Sequence, residues 1–416
     1  MQVPIPSASH RHSVKSNYIA GESKIMIIVK GAVTLKKGKD QSIKRFHPWI
    51  FSGAIHSTKE VGDGFWVRVE NAEGKTLGYG HFHQGTIAVR VLSFGEKPPA
   101  PNFWREKLMR ARSLRLSSAI PADNINAYRL IHGEADGLSG LIIDVYNGVA
   151  IVQAHTLGMF NDREAVTQAI KSVLGQTTTA VYFKSPPSHQ QKSDDGYLYG
   201  MSAIPHIITE YGNKFYVDWE TGQKTGFFLD QRENRKLLSN YSFGKSVLNT
   251  FCYTGGFSIY ALRAGATLVH SVDASEKAIA LTKENISLNG FSPEKHPAYC
   301  IDTFEFLKDK KDVYDVIVLD PPAFAKHKSA KHQAMKGYQR LNAEAFRVVK
   351  PGGIVFTFSC SQVVDRQLFY DTIVSAAIQS GREIKVLHHM AQPPDHPVSI
   401  YHPEGEYLKG LVLYVE

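Results

Sequence analysis

The C-terminal half of the sequence constrains the fold most strongly, because apolar segments of strand length alternate there with amphipathic segments of helical length. From about Phe243 onward the apolar segments are SVLNTF, LVHSVDA, YDVIVLD, GGIVFTFS, KVLHHM and YLKGLVLYV. This alternation is typical of a mostly parallel sheet with helices on both faces. It predicts an α/β, doubly wound domain.

The preceding part of the chain has a different pattern. Short strand-like segments, among them IMIIVKG, FWVRVE and TIAVRVLSF, predict a small β module that ends before the Pro-rich stretch EKPPAPNF. The basic segment WREKLMRARSLRL predicts a helix, and strands with a second helix near Asp162 to Leu174 follow it. A chain of 416 residues is long enough for several cores. We therefore predict a flexible tail over 1–24, a β module over 25–98, a central α+β domain over 99–208 and the α/β domain over 209–416.

Glycines and acids occur where strands of the α/β domain are predicted to end. Gly255 and Gly256 follow SVLNTF at a strand-to-helix turn, where a backbone without Cβ atoms can approach a ligand closely. Asp273, Asp302 and Asp320 follow three further predicted strands. The carboxyl ends of parallel strands form the ligand-binding edge of an open sheet, where an acid after the second strand can hold ribose hydroxyls. A tight turn alone would explain the glycines, whereas a nucleotide-like ligand explains the glycines and the acids together.

The chain has only three cysteines, Cys252, Cys300 and Cys360, and no pair of them has metal-ligand spacing. This predicts neither a disulfide framework nor a metal site, and it favours a reducing compartment. The polar N-terminal stretch and the lack of a long apolar run predict a cytoplasmic protein without membrane segments. Cys252 and Cys300 are expected to pack as small apolar residues. Cys360 differs because it follows GGIVFTFS, so its thiol should emerge on the same sheet edge as Asp320.

Seven motifs in order carry a family resemblance. They are KGKDQSIKRFHPWIFSGAI, AYRLIHGEADGLSGLIIDVYNG, QKTGFFLDQRENR, LNTFCYTGGFSIYAL, VIVLDPPAFAK, TFSCS and DHPVSIYHPEGEYLKG. The sequence resembles the large-subunit ribosomal RNA methyltransferase I family, whose members make 5-methylcytosine in 23S rRNA with S-adenosyl-L-methionine. The resemblance implies a Rossmann-like class I methyltransferase domain, preceded by a β-rich PUA pseudo-barrel that binds RNA and by a central α+β domain.

The resemblance also implies which residues contact the cofactor. Tyr253, Gly255 and Gly256 would surround its methionine end, Asp273 would hold the ribose and Asp302 the adenine amino group. These roles agree with the strand-end positions inferred from the pattern.

A second cofactor segment is implied between residues 223 and 232, which resembles the part of the family that covers the cofactor. Phe227 would supply an apolar contact, and Gln231 and Arg232 would bind the amino-acid carboxylate. LDQRENRKLL is also a plausible helix start with Asp230 near its cap, so both interpretations stay open.

For the reaction, the resemblance implies Cys360 as nucleophile and Asp320 as its partner in DPPAF. Carbon 5 of cytosine is a weak nucleophile, so a thiolate adds first to carbon 6 and makes carbon 5 enamine-like. Asp320, which also borders the cofactor, would hydrogen-bond the pyrimidine edge, as a protonated acid to ring nitrogen 3. No residue is an obvious base for the carbon 5 proton.

The β module carries a run of basic residues, and Lys and Arg exceed Asp and Glu by 48 to 39 in the whole chain. Basic residues interleaved with aromatic ones are typical of phosphate contact with base stacking, although a solvated face gives the same pattern. The candidate RNA contacts are Lys36, Lys37, Lys39, Lys44, Arg45 and His47. Large-subunit rRNA is the expected partner, and the resemblance leaves a homodimer open.

Three alternatives differ in their consequences. Methylation of another base or atom would leave Cys360 dispensable. An rRNA-binding assembly factor without turnover would have no need of the glycines, Asp273, Asp320 and Cys360. A nicotinamide-dependent dehydrogenase would carry G-x-G-x-x-G spacing, which the turn at Gly255 lacks.

Overall fold

The computed structural model describes residues 26–185, 195–325 and 327–416, so the predicted tail lies outside the described residues. The first module is a six-stranded sheet of order β2-β6-β5-β4-β1-β3, in which β1 runs parallel to β4 and the other neighbours are antiparallel. Its elements are β1 (Gly31–Leu35), α1 (Gln41–Lys44), β2 (Trp49–Phe51), β3 (Ile55–Lys59), β4 (Trp66–Glu70), β5 (Thr76–Phe82) and β6 (Ile87–Phe94).

The predicted strand IMIIVKG is wrong over residues 26–30, which are not in a strand. Its apolar side chains Ile27 and Val29 pack against a buried cluster that joins Trp66, Tyr79 and Leu92 of the first module to the central domain. The alternating pattern therefore reflects one buried face at the junction of the two domains.

The central domain has a five-stranded sheet of order β11-β10-β9-β8-β7. Its elements are α2 (Phe103–Ser117), β7 (Ala127–His132), β8 (Leu141–Tyr146), β9 (Val149–Ala154), α3 (Leu157–Asn161), α4 (Arg163–Leu174), β10 (Ala180–Phe183) and β11 (Gly196–Gly200). A hairpin of β12 (His206–Glu210) and β13 (Asn213–Val217) follows. The helix predicted near Asp162 to Leu174 is confirmed as α4.

The C-terminal domain is a seven-stranded sheet of order β16-β15-β14-β17-β18-β20-β19, in which only β20 runs antiparallel to its neighbours. Its strands are β14 (Ser246–Thr250), β15 (Leu268–Asp273), β16 (Ala298–Cys300), β17 (Tyr314–Leu319), β18 (Val349–Ser359), β19 (Ile384–Met390) and β20 (Lys409–Val415). Its helices are α5 (Arg232–Ser239), α6 (Gly256–Arg263), α7 (Glu276–Leu288), α8 (Thr303–Leu307), α9 (Lys331–Val348) and α10 (Arg366–Ser380). The prediction of an α/β, Rossmann-like domain is confirmed.

The strand order fixes where a ligand binds. The chain moves outward from β14 through β15 to β16 and then crosses back to β17, so the order reverses between β14 and β17. A crevice opens at the carboxyl ends of the strands where an open sheet reverses in this way. This edge holds the glycines, Asp273, Asp320 and Cys360, each directly at or after its strand.

The central and C-terminal domains share one apolar core. Tyr146 and Val149 of the central sheet belong to the same buried cluster as Phe215, Trp219 and Phe257. The two domains are therefore packed as a unit. No helix of the described residues is both long and apolar enough to cross a membrane.

Candidate active site

The turn after β14 has an unusual backbone. Phe251, Tyr253 and Gly255 all have positive φ angles, of 53°, 47° and 74°, and α6 begins at Gly256. Non-glycine residues adopt this conformation only where neighbouring contacts hold it. Here Asp273 does so, because its Oδ2 accepts the Tyr253 backbone N–H at 3.0 Å.

The two glycines leave no room for side chains. A Cβ atom on Gly255 would lie 2.8 Å from Cγ2 of Thr282, and one on Gly256 would lie 2.9 Å from Cδ of Arg235. The bare backbone of this turn therefore packs tightly on one side, and it borders the strand-end crevice on the other.

A segment before α5 folds over this turn through Tyr253. The Tyr253 hydroxyl donates to the carbonyl of Gly226 at 3.3 Å and accepts the Gln223 N–H at 3.2 Å. The ring of Phe228 packs edge-on against Tyr253, with 5.0 Å between ring centroids. The segment from 223 to 231 thus forms a cover over the glycine turn, as the sequence resemblance implied for this region.

Two residues of this segment are placed away from the crevice. Phe227 is buried against Phe215, with 5.0 Å between ring centroids. The guanidinium of Arg232 is fully buried and forms a bidentate pair with Asp395, with distances of 2.6 and 3.1 Å. Arg232 is therefore not free to bind a ligand carboxylate. The buried side chains of Phe227 and Arg232 instead anchor this part of the chain to the protein interior.

Gln231 does reach the strand-end edge. Its Nε2 donates to Oδ1 of Asp320 at 3.0 Å, and its Oε1 accepts from Asn234 at 2.6 Å. The amide is thus held from both ends and links the cover segment to the end of β17.

Asp320 and Cys360 end two adjacent strands, β17 and β18, and both are half-buried. Burial raises the pKa of Asp320 to about 7, and the negative charge of Asp230 adds to this effect. Burial also raises the pKa of the Cys360 thiol, and the charge of Asp320 raises it further. An ionised Asp320 thus disfavours the thiolate of Cys360, so the thiol stays protonated at neutral pH while Asp320 titrates.

A second carboxylate, Asp230, behaves in the opposite way. Burial alone would raise its pKa, but the charge of Lys224, the neighbouring imidazole of His396 and a hydrogen bond from Tyr407 outweigh burial and lower it to about 2. The Tyr407 hydroxyl donates to Oδ2 at 2.7 Å, and Nζ of Lys224 lies 3.7 Å from the same oxygen. Asp230 therefore stays ionised at neutral pH, whereas the neighbouring Asp320 titrates close to neutral pH.

Lys409 is a further cation near this edge that the sequence analysis did not single out. It is buried, its Nζ donates to the carbonyl of Ser361 at 2.6 Å, and burial lowers its pKa to about 8. Tyr407 and Lys409 both belong to the motif DHPVSIYHPEGEYLKG, so the family resemblance was the signal that marked this segment.

Asp302 lies one strand further out, after β16. It caps α8, with Oδ1 accepting the N–H groups of Phe304 and Glu305 at 2.8 and 3.2 Å. The capped turn places this exposed carboxyl group on the same sheet edge as Asp273.

The basic candidates of the first module cluster around the turn from β1 to α1. Lys44 pairs with Asp40 at 2.6 Å, and Nζ of Lys36 donates to the carbonyl of Gly53. All five Lys and Arg candidates are exposed, namely Lys36, Lys37, Lys39, Lys44 and Arg45. His47 differs, because it is half-buried and faces Glu404 of the C-terminal domain at 3.6 Å.

Comparison with known proteins agrees with this architecture. Residues 128–409 match the family model for S-adenosylmethionine-dependent methyltransferases, and residues 33–94 match a PUA-like domain. The chain is 38% identical to ribosomal RNA large subunit methyltransferase I of Shewanella denitrificans over 92% of its own length and 99% of that protein. It is 37% identical to the protein of the same name from Aeromonas hydrophila, with the same coverage.

Solved structures give the same fold. SMU.776, described as a methyltransferase and solved with S-adenosylhomocysteine, superposes with a TM-score of 0.80 at 22% identity, covering 93% of this chain and all of that one. The cover segment, the glycine turn and the strand-end acids all lie within residues 128–409, which match the methyltransferase family model. The chain belongs to the ribosomal RNA large subunit methyltransferase I family of S-adenosylmethionine-dependent methyltransferases, with an N-terminal PUA-like domain.

Proposed function

We propose that this protein methylates carbon 5 of a cytosine in large-subunit ribosomal RNA, through a covalent adduct with Cys360. The observation that carries the proposal is the position of Cys360 beside Asp320 at the ends of adjacent strands, on the edge that also holds the glycine turn. The names of the relatives support the RNA class.

The residues at the sheet edge fit S-adenosylmethionine. In this proposal the backbone of Tyr253, Gly255 and Gly256 surrounds its methionine end, and the strand-to-helix turn at the sheet edge supports this role. Asp273 would bind the ribose hydroxyls and Asp302 the adenine, and their positions after adjacent strands support these roles. The cofactor supplies an electrophilic methyl group, and the acids Asp230 and Asp320 favour its positive charge in this region.

In the proposed reaction the thiolate of Cys360 bonds to carbon 6 of cytosine, and the electron pair of the 5,6 double bond makes carbon 5 nucleophilic. Carbon 5 then takes the methyl group. Loss of the carbon 5 proton to a base restores the double bond, breaks the bond from sulfur to carbon 6 and returns the thiolate. Cysteine suits this cycle because it is both a strong nucleophile and a good leaving group.

Asp320 connects the thiol to the pyrimidine ring. At neutral pH the Cys360 thiol keeps its proton, because burial and the charge of Asp320 raise its pKa, whereas Asp320, with a pKa of about 7, both gains and loses a proton. As a carboxylate, Asp320 accepts the thiol proton; as an acid, it donates to ring nitrogen 3 as charge builds up during addition. Gln231 orients the carboxyl group for both tasks.

The first module supplies the electrostatic contact with RNA. Exposed cations around the turn from β1 to α1 are placed to neutralise phosphates, which positions the RNA without reading its sequence. These contacts are Lys36, Lys37, Lys39, Lys44 and Arg45.

A second candidate function is methylation of another atom of an RNA base without covalent catalysis. The raised pKa of the Cys360 thiol favours it, because a neutral thiol is a poor nucleophile. Under this alternative Cys360 is structural.

Transfer of a labelled methyl group to unmodified large-subunit rRNA, followed by nucleoside mass spectrometry, tests the proposal. We expect 5-methylcytosine with the wild type and with the control Cys300→Ala, whose exposed thiol ends β16 and is separated from β18 by three strands, and none with Cys360→Ala. Another methylated nucleoside that Cys360→Ala still makes would establish the second candidate.

A further inference from the structure

Three potential metal ligands meet where the first module contacts the C-terminal domain. His47 lies just before β2, while His402 and Glu404 lie in the loop between β19 and β20. One ligand atom of each residue lies within 4.8 Å of the other two. The cluster shares no residue with the proposed reaction site of Asp320 and Cys360.

Packing alone does not explain why the polar imidazole of His402 is buried. It is 3% exposed, and its buried Nε2 has no hydrogen-bond partner among the described residues. A buried polar atom normally has a partner, because water no longer satisfies it. The nearest acid is Glu404, whose Oε2 lies 3.9 Å from this nitrogen.

The distances between the ligand atoms are too long for hydrogen bonds and are close to the distances between ligand atoms around a coordinated ion. Nε2 of His47 lies 3.6 Å from Oε1 of Glu404, and Nε2 of His402 lies 3.9 Å from Oε2, both longer than a hydrogen bond. Tetrahedral zinc with bonds of about 2.0 to 2.1 Å separates its ligand atoms by about 3.4 Å. All three ligand atoms lie within 4.8 Å of one another, so side-chain shifts of at most about 1.4 Å would close the cluster around an ion.

We propose that His47, His402 and Glu404 bind a divalent transition-metal ion of the zinc class and so tie the PUA-like module to the loop before β20. Two imidazoles and one carboxylate are ligands that Zn²⁺ accepts, and three protein ligands leave a fourth position for water. Mg²⁺ is a poor candidate because it prefers an all-oxygen environment.

The neighbouring groups are compatible with a cation. The indole of Trp49 packs edge-on against His402, with 4.4 Å between ring centroids, and its Nε1 donates to Glu134 and Ser139 rather than to the cluster. Glu134 and Glu404 both bring negative charge to the imidazole of His402.

The ring orientation of His47 is also compatible. The Trp49 N–H donates to Nδ1 of His47 at 3.2 Å, and Nδ1 also lies 3.4 Å from the Trp49 carbonyl oxygen. Ion binding through Nε2 requires the tautomer with Nδ1 protonated, in which Nδ1 donates to that carbonyl in place of accepting from the N–H.

The inference is independent of the proposed reaction, and metal binding tests it directly. The full chain without an affinity tag is stripped with EDTA, titrated with Zn²⁺ and analysed by elemental mass spectrometry after desalting. Co²⁺ then serves as a spectroscopic probe, since tetrahedral coordination gives strong visible absorption. We expect one equivalent of Zn²⁺ in the wild type, with no displacement by excess Mg²⁺.

Variants separate this site from adventitious binding. Glu404→Gln removes an exposed carboxylate without opening the core, and His47→Gln removes a half-buried ligand. Each should weaken Zn²⁺ binding by at least about tenfold. The matched control His83→Gln, in the same module, should bind as the wild type does, because His83 pairs with Asp63 elsewhere. A wild type without stoichiometric Zn²⁺, or ligand variants that bind as tightly as the control, would overturn the proposal.

Discussion

The buried pair of Arg232 and Asp395 gives a prediction that separates a structural role from cofactor binding. Both side chains are fully buried, and Asp395 also accepts the backbone N–H of Arg129 at 3.0 Å. Replacing Arg232 with Met leaves the carboxylate buried without its cation. Removing one partner of such a pair costs about 3 to 5 kcal/mol. We expect the free energy of unfolding to fall by that amount at pH 7.

Urea unfolding measures this loss, and calorimetry of S-adenosylhomocysteine binding to the folded variant measures the cofactor site. Arg232→Met should keep its affinity for the ligand. The double variant Arg232→Met/Asp395→Asn should regain part of the stability, because the uncompensated charge is gone while the amide oxygen still accepts from Arg129. The control Arg366→Met breaks the exposed pair with Glu406 and should cost less than about 1 kcal/mol. Stability near that of the wild type together with lost ligand affinity would refute the reasoning and make Arg232 a cofactor ligand.

Three further predictions concern the edge itself. Asp320→Asn should abolish methylation, yet stabilise the protein by up to about 4 kcal/mol at pH 8 in urea titrations. The pKa of Asp320 is about 7 in the folded protein and exceeds its value in the unfolded chain. The free energy of unfolding of the wild type therefore falls as pH rises from about 4 to 7, and the stabilisation by Asp320→Asn should disappear below pH 4. An equal stabilisation at all pH values would contradict this reasoning. Gly255→Ala should weaken S-adenosylhomocysteine binding, since the methyl group meets Thr282 and φ is positive, and unchanged affinity by calorimetry would show that the turn can adapt. Tyr407→Phe leaves the carboxylate of Asp230 without its hydrogen bond and should lower the free energy of unfolding by about 1 to 3 kcal/mol. An unchanged free energy of unfolding would mean that water replaces the lost hydroxyl as the donor to Asp230.

The sequence alone predicted the features that depend on local pattern. Gly255, Asp273, Asp320 and Cys360 lie where the alternation of strands and helices placed them, because the carboxyl end of each parallel strand faces the same edge. The residue types then indicate the chemistry.

What the sequence did not predict depends on contacts between distant residues. Arg232 pairs with Asp395, which is 163 positions away, so its burial was invisible in the motif that contains it. Asp230 seemed to be a helix cap until its contact with Tyr407, 177 positions away, placed it beside Asp320. In the same way, the basic run that contains His47 did not indicate that this ring turns toward the C-terminal domain.

The most direct test of the central claim is to trap the adduct on rRNA that carries 5-fluorocytidine. Fluorine at carbon 5 prevents the final proton loss, so methyl transfer should leave the RNA bonded to the enzyme. Mass spectrometry of the digested complex should find the nucleotide on the peptide that contains Cys360, only when S-adenosylmethionine is present. Methylated RNA with no covalent complex, or a nucleotide bonded to another residue, would contradict the account.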